Sequence, residues 1–330
     1  DDIEERIEGI ILDKAEKIER PTHENIGRVS HNADLVDKYI KFAESTTDAD
    51  FSGLKIALDC ANGASSVTAR RAFEDLGAKV YVLNDKPNGI NINDKCGSTH
   101  IESLIEFVKN SDVDLGLAFD GDADRVLAVD ENGDFVDGDK IMAAIALDMK
   151  SRGELEDNTV VATVMSNLGF FIMAKERGLN IKRTKVGDRY VLEEMLKCGH
   201  KIGGEQSGHV ILLDYNTTGD GLVTGIRLVS VIRHSGKKLS ELASVMQVYP
   251  QVLVNAKVKN EMKNEENYMA VPEIKEAIEA IENEFKNDGR VLIRPSGTEP
   301  LVRVMIEGKD EKLIFEKAEK LAKLMEEKLN

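Results

Sequence analysis

Hydrophobic residues recur along this chain in two alternating patterns: short apolar runs, and longer segments with an apolar residue at every third or fourth position. The first pattern is typical of buried strands and the second of amphipathic helices. Between residues 51 and 248 the two alternate, which predicts two consecutive doubly wound α/β domains, at 51–138 and 139–248. Residues 249–330 are predicted to form a smaller α+β domain.

The same patterns place the individual elements. The predicted strands are 54–59, 79–83, 113–119, 126–129, 159–164, 180–184, 210–213, 252–258, 289–293 and 301–306. The predicted helices are 65–76, 101–109, 140–149, 168–177, 189–197, 222–234, 274–285 and 311–329. Helix 222–234 carries apolar residues all round, so we expect it to be buried.

The first fifty residues follow a different pattern. Residues 1–20 place isoleucines at helical spacing among charges and predict one amphipathic helix that ends before Pro21. Residues 21–50 are predicted to be a linker with a short helix at 33–44. Because the first helix has nothing upstream to pack against and no methionine precedes it, we expect it to be the last helix of a preceding domain.

Three carboxylates at alternate positions lie in the turn after the predicted strand 113–119. Asp120, Asp122 and Asp124 would repel one another as bare anions, and a divalent cation removes that conflict. Oxygen ligands favour Mg²⁺, Mn²⁺ or Ca²⁺ over zinc or copper, and a site with few protein ligands suits Mg²⁺ beside a phosphate. Arg125 follows directly and could bind an anionic oxygen next to the metal.

Two other interpretations of this turn stay open. It could be a solvated hairpin without a ligand. It also nearly fits a calcium-binding EF-hand loop running from Asp120 to Glu131. Against the calcium loop, Arg125 stands where a tight turn needs glycine, and the flanking segments are predicted strands, not helices.

Three further segments offer polar groups beside glycines. Residues 203–209 carry Glu205, Ser207 and His209, which alternation would place on one face of an extended segment able to grip sugar hydroxyls. Residues 186–190 begin a helix, where free N–H groups favour anions. Residues 294–300 combine a guanidinium, two hydroxyls and a glycine between prolines, which could cradle a phosphate or form a plain turn.

Charge and composition exclude several classes of partner and site. The net charge of −16 argues against nucleic-acid binding, and no apolar stretch is long enough to span a membrane. The chain does not open with a signal peptide, so we expect it in the cytoplasm. Cys60, Cys96 and Cys198 are far apart and odd in number, which predicts buried or inert thiols and neither a disulfide framework nor a zinc site.

Four segments taken together resemble the α-D-phosphohexomutase superfamily in order and spacing: FDGDADR at 119–125, VGDRYV at 186–191, GGEQSGH at 203–209 and RPSGTEP at 294–300. The resemblance covers about residues 50–330. Gln206 and the run TVMSNLG at 163–169 resemble the branch of the superfamily that acts on glucosamine phosphate.

The resemblance implies a role for each segment. It implies Mg²⁺ ligands at Asp120, Asp122 and Asp124, with Arg125 as the catalytic basic residue beside them. The implied contacts with the hexosamine phosphate substrate are Gly187, Asp188, Arg189, Glu205, Ser207 and His209. The implied phosphate-binding residues are Arg294, Ser296, Gly297 and Thr298, and Arg303 on the next strand could add a second cation.

The reaction implied is the conversion of glucosamine 6-phosphate to glucosamine 1-phosphate through a 1,6-bisphosphate and an enzyme phosphoserine. In the superfamily that serine lies in a T-A-S-H-N-P stretch of the first domain, and no such stretch occurs in these 330 residues. The stretch Ser30-His31-Asn32 echoes it without the flanking residues. We therefore expect the chain to be domains two to four of a mutase. We expect it to bind Mg²⁺ and phosphosugar weakly and not to convert glucosamine 6-phosphate by itself.

Alternatives remain at this point. The same scaffold serves phosphomannomutases and phosphoglucomutases, and a non-catalytic phosphosugar sensor or calcium-binding protein would use the same residues as ligand contacts only. The sequence leaves the oligomeric state open, including a homodimer.

Overall fold

The computed structural model describes residues 2–13, 20–30, 32, 34–286, 288–297 and 299–330, in two compact units, Asp1–Lys38 and Tyr39–Asn330. In the first unit, helix α1 (Asp2–Glu8) continues as a π-helical segment at Gly9–Asp13. Residues 14–19 lie outside the described part, so the prediction of one helix over 1–20 is followed only to residue 13. A short 3₁₀ turn follows at His23–Asn25, and helix α2 (Asp34–Glu44) leads into the second unit.

A mixed five-stranded sheet comes first in the second unit. Its strand order is β2-β1-β3-β4-β5, with β1 parallel to both β2 and β3, and with β4 and β5 antiparallel to their neighbours. The strands are β1 (Lys55–Asp59), β2 (Lys79–Leu83), β3 (Leu115–Phe119), β4 (Val126–Asp130) and β5 (Phe135–Val136). Every residue of β3 and β4 is buried, which explains their continuous apolar runs.

The second sheet repeats this strand order. Its order is β7-β6-β8-β9, again with two parallel pairs followed by an antiparallel one. The strands are β6 (Thr159–Thr163), β7 (Asn180–Thr184), β8 (Ile202–Gly204) and β9 (Val210–Leu212). The two sheets are therefore built as structural repeats, although their sequences show no repeat.

Strand β8 was not predicted, because Gly203 and Gly204 carry no strand signal. Their lack of a side chain has a packing reason. A Cβ on Gly203 would lie 2.7 Å from the sulfur of Met195 and 2.8 Å from a Val191 methyl carbon. Glycine thus lets a helix pack closely on this strand.

Helices cover both sheets. They are α3 (Ala69–Asp75), α4 (Glu102–Lys109), α5 (Gly138–Ser151), α6 (Leu168–Glu176), α7 (Asp188–Cys198), α8 (Gly221–Ser235) and α9 (Leu239–Ala243). Helix α8 is buried at every position from Gly221 to Ile232, which confirms the expectation for this segment. Among the described residues no helix has the length and apolar character needed to cross a membrane.

The C-terminal part is α+β, as predicted. Its antiparallel sheet has the order β10-β12-β11 and packs on helices through a core of its own. The elements are β10 (Gln251–Lys257), α10 (Glu265–Met269), α11 (Pro272–Phe285), β11 (Gly289–Pro295), β12 (Leu301–Gly308) and α12 (Glu311–Lys328).

A buried polar network joins this sheet to the second one. The Asn167 side chain donates to the Tyr249 carbonyl at 2.9 Å and to Glu307 Oε1 at 3.1 Å, and it accepts from the N–H groups of Gly169 and Tyr249. The second Glu307 oxygen accepts from the Leu168 N–H at 3.2 Å and from Arg290. The amide of Asn167 thus uses its full hydrogen-bonding capacity at the junction.

The three cysteines are free thiols. Cys60 and Cys96 are buried, and burial raises the pKa of the Cys60 thiol to about 12. Cys198, at the end of α7, is exposed, so of the predicted alternatives, buried or inert, burial does not apply to this residue.

Candidate functional site

The three aspartates lie in the hairpin loop between β3 and β4, and one oxygen from each lies within 4.8 Å of the others. The backbone folds the loop tightly. Ala123 adopts a positive φ of 63°, and its N–H donates to the Asp120 carbonyl at 3.2 Å. The Arg125 N–H donates to Asp120 Oδ1 at 3.1 Å, which closes the turn.

The electrostatics of this loop favour a bound cation. Asp120 is only 6% exposed, and its burial, with Asp124 and Asp122 beside it, raises the pKa of its carboxyl to about 7. Asp124 Oδ1 is buried and has no hydrogen-bond partner among the residues that the structure describes. A hard divalent cation would neutralise these carboxylates and use that free lone pair, so the residues fit a Mg²⁺ site.

Arg125 lies at the rim of the carboxylate cluster. Its Nε is 3.8 Å from Asp120 Oδ2 and 3.8 Å from Asp124 Oδ1, too far for hydrogen bonds, and its side chain is 43% exposed. The guanidinium is therefore free to donate to an anion that approaches the loop. The backbone of Arg125 forms a bridge with His209 of the second sheet.

The His209 side chain packs against the aspartate loop and is closed off from solvent. Its side chain is 4% exposed, and Nδ1 lies 2.9 Å from Asp124 Oδ2. Because the Gly219 N–H donates to Nε2 at 3.0 Å, that nitrogen carries a lone pair and Nδ1 carries the proton. His209 thus donates to Asp124 and orients the carboxylate.

The prediction that residues 205, 207 and 209 share a face of an extended segment is wrong. The segment is a tight turn, in which the Gly208 N–H donates to the Glu205 carbonyl at 3.1 Å and the Glu205 N–H donates to the His209 carbonyl at 3.0 Å. Gly208 has a φ of 94°, which allows that turn. Glu205 and the exposed Ser207 remain accessible, whereas His209 points inward.

Residues 186–189 meet this turn through Glu205, whose Oε1 accepts from the Gly187 N–H at 3.1 Å. Asp188 begins α7, and its Oδ2 lies 3.8 Å from His209 Nε2. Arg189 instead pairs with Glu193 on the exposed side of α7, with 2.8 Å between Nε and Oε1. Of the predicted contacts here, Gly187 and Asp188 are near the turn and Arg189 is directed away.

The hairpin formed by β11 and β12 carries two arginines opposite each other, next to its loop. Arg294 and Arg303 are directly paired across the hairpin, and burial together with the charge of Arg303 lowers the pKa of Arg294. No carboxylate of the described residues forms an ion pair with either arginine. Ser296 is buried and accepts from the Glu299 N–H, Gly297 is exposed, and Thr298 lies outside the described residues. Two unpaired cations on one sheet face favour binding of a phosphate.

Several residues near these loops were missed by the sequence analysis. Lys263 donates from Nζ to the Ser296 carbonyl at 2.8 Å and adds a third cation beside Arg294 and Arg303. Gly219 holds His209, and a Cβ there would lie 2.6 Å from the imidazole. A cleft of about 420 Å³ beside Asp122 and Asp124 is also lined by Tyr39, Asn216, Thr218 and Asp220. In the sequence, the glycines on both sides of Asp220 were the signal that could have pointed to this cleft.

Comparison with known proteins places this arrangement in a family. Protein-family models of phosphoglucomutase/phosphomannomutase match residues 36–133 (alpha/beta/alpha domain II), 137–249 (alpha/beta/alpha domain III) and 253–324 (C-terminal domain). The chain belongs to the phosphoglucomutase/phosphomannomutase family, within the phosphohexomutase superfamily that the sequence motifs resemble.

Two curated relatives of the chain are phosphoglucosamine mutases. The chain is 61% identical over 329 residues to the phosphoglucosamine mutase of Acetivibrio thermocellus and 56% identical over 330 residues to that of Ruminiclostridium cellulolyticum. Each match covers the whole of this chain and 73% of the relative.

Solved structures agree at the level of the fold. Aspergillus fumigatus N-acetylphosphoglucosamine mutase, solved with GlcNAc-6P and magnesium, has a TM-score of 0.71 at 20% identity, covering 90% of this chain and 66% of that one. A putative phosphomannomutase from Thermus thermophilus has a TM-score of 0.66 at 20% identity, covering 88% of this chain and 66% of that one.

Proposed function

We propose that this chain supplies the metal-, sugar- and phosphate-binding parts of a phosphoglucosamine mutase, which interconverts glucosamine 6-phosphate and glucosamine 1-phosphate through a 1,6-bisphosphate. The observation that carries the proposal is the hydrogen bond from His209 to Asp124, which ties the carboxylate loop to the glycine-rich turn. The names of the most similar curated relatives support the choice of glucosamine.

Asp120, Asp122 and Asp124 would hold Mg²⁺, which when bound supplies positive charge for a phosphoryl group in transfer. Arg125 donates to the same group from the rim, where its guanidinium is exposed. Transfer of a phosphoryl group depends on charge neutralisation and positioning, which is what this set of residues offers.

The sugar and its second phosphate would be held by the other two loops. Glu205 and Ser207 accept from and donate to the sugar hydroxyls, while Gly187 and Asp188 border the same turn. Arg294 and Arg303, with the backbone near Ser296 and Gly297, bind the phosphate that does not react. Anchoring that phosphate on a separate sheet leaves the reacting end free to present either position of the sugar.

Binding by this chain is the direct test of these assignments. No T-A-S-H-N-P stretch occurs in the 330 residues. Turnover would need the phosphoserine that the superfamily carries in its first domain, so binding is measured instead. Calorimetry in excess Mg²⁺ should show glucosamine 6-phosphate binding more tightly than glucose 6-phosphate or mannose 6-phosphate. Arg303→Gln should weaken that binding by about 10–100-fold, since a hydrogen bond to a charged group contributes about 1.5–3 kcal/mol.

Arg70→Gln is the matched control, because Arg70 is an exposed arginine paired with Glu74 on α3. It should leave the affinity unchanged. Equal losses for the two variants would remove the phosphate assignment. Tighter binding of mannose 6-phosphate would keep the site and change the sugar.

Two further properties belong to this proposal, the location in the cell and the oligomeric state. We propose a cytoplasmic location, where sugar phosphates are held, and a homodimer as the oligomeric state, which sedimentation equilibrium would check.

A further inference from the structure

A second cluster of ligand atoms lies at the far end of α7, away from the aspartate loop. One ligand atom each from Glu194, Cys198 and His200 lies within 4.8 Å of the others. Glu194 and Cys198 are one helical turn apart on the same face of α7. Gly199 then ends the helix in the left-handed conformation with a φ of 73°, and the His200 N–H donates back to the Met195 carbonyl at 3.1 Å. The turn thereby brings the imidazole over the last helical turn.

His200 is the unusual member of this cluster. Its side chain belongs to the buried polar set at 4% exposure, and both ring nitrogens are buried without a hydrogen-bond partner in the described part of the chain. His209, equally buried, satisfies both ring nitrogens with Asp124 and Gly219. Burying an imidazole without partners costs free energy, so the lone pair of His200 needs an explanation.

The other two side chains supply that explanation. The Cys198 thiol donates to Glu194 Oε1 at 3.6 Å, so a proton already lies between the two groups that a cation would join. Cys198 is exposed, and the Glu194 side chain is 26% exposed, which leaves the cluster open to solvent on one side. Lys197 lies 4.0 Å from the other oxygen of Glu194, Oε2, and leaves Oε1 to the thiol.

The set of donor atoms selects the ion. Thiolate, imidazole and carboxylate together are typical of Zn²⁺, with a fourth position left for water, whereas Mg²⁺ prefers oxygen alone. Tetrahedral coordination by sulfur and nitrogen places those atoms about 3.5 Å apart. The ligand atoms of the cluster, within 4.8 Å of one another, are therefore near the spacing that such an ion needs.

We propose that Glu194, Cys198 and His200 form a second cation site that binds Zn²⁺ or the similar Co²⁺ in preference to Mg²⁺. Binding replaces the thiol proton of Cys198, which is released to solvent, and gives the buried imidazole of His200 a partner. The bound ion fastens the C-terminal turn of α7, the helix that begins at Asp188 beside the glycine-rich turn. This site is independent of the proposed mutase function.

Cobalt binding tests the proposal on the full 330-residue chain. In excess Mg²⁺, one equivalent of Co²⁺ should produce the near-ultraviolet absorption of a thiolate–cobalt bond. Cys198→Ser should abolish that absorption, although the buried Cys60 and Cys96 remain. Glu194→Gln, a surface change that leaves the fold intact, should weaken binding at least ~10-fold. His200→Asn should do the same in a folded variant, as checked by circular dichroism.

Two controls separate this cluster from its surroundings. Glu193→Gln makes the same charge change one residue away and should leave cobalt binding unaltered. Asp122→Asn should also leave the absorption unaltered, since the aspartate loop contributes no thiolate. Absorption that persists in Cys198→Ser, disappears in Asp122→Asn, or never appears in the parent chain would overturn the proposal.

Discussion

Two hairpins at equivalent places in the two α/β sheets carry contrasting sets of residues. In the first sheet the loop between β3 and β4 carries three carboxylates; in the second the loop between β8 and β9 carries Gly208 with Glu205 and Ser207. Both loops follow the third strand of the same strand order. Equal topology thus fixes where a loop stands, and the local residues decide whether it concentrates negative charge or presents a backbone.

The two hairpins also meet. The backbone bridge between Arg125 and His209 and the His209–Asp124 hydrogen bond join them directly. Either each hairpin acts alone, or the second one supports the first. Substitutions in each loop can separate these two possibilities.

The largest effect is expected in the carboxylate hairpin itself. Asp122 is the exposed member, so Asp122→Asn should leave the fold intact while lowering Mg²⁺ affinity at least ~100-fold, as measured by calorimetry. Asp134→Asn, an equal charge change in the β4–β5 turn, is the control. In an enzyme that also carries the phosphoserine domain, Asp122→Ala should abolish turnover. An unchanged rate would remove the metal assignment.

An intermediate effect should come from the second hairpin. His209→Leu removes the donor that orients Asp124, so Mg²⁺ affinity should fall by about 10–100-fold while the affinity for the phosphosugar measured without metal stays the same. His234→Leu, the same change at the end of α8, is the matched control. If sugar binding fell and Mg²⁺ binding did not, His209 would be a sugar contact, as the sequence suggested, and the two hairpins would act independently.

The smallest effect concerns pH. Because the pKa of Asp120 is raised to about 7 in the folded state, its contribution to stability is present at low pH and is lost as the pH rises through 7. Asp120→Asn should therefore raise the melting temperature in EDTA at pH 8 by a few degrees and leave it nearly unchanged at pH 4. Added Mg²⁺ should stabilise only the parent and release protons near pH 7. The same difference in melting temperature between Asp120→Asn and the parent at both pH values would contradict this.

The sequence predicted elements well where the signal is local. Strands 79–83 and 180–184 were placed to the residue. The predicted helix 65–76 is instead a 3₁₀ turn (Ala64–Val67) followed by α3. The hydroxyls of Ser65 and Ser66 donate to the Cys60 and Gly63 carbonyls, and such local bonds compete with a continuous helix.

In the candidate site, too, features set by neighbouring residues could be predicted and features set by the fold could not. The aspartate triplet is contiguous, so its chemistry could be predicted from spacing alone. The partner of His209 is 85 residues away along the chain, and only the fold brings the two together. Likewise, Glu194, Cys198 and His200 fit no familiar metal-binding spacing, and the cysteine count argued against zinc before the Gly199 turn was known.

The junction at Asn167 has a consequence for how this protein ages. Its side-chain amide is held by four hydrogen bonds within a buried site that already contains Asp139 and Glu307. Hydrolysis of that one amide would place a third carboxyl group there and remove two donors in the same event. Part of the link between the second and third sheets therefore depends on the chemical durability of a single neutral side chain.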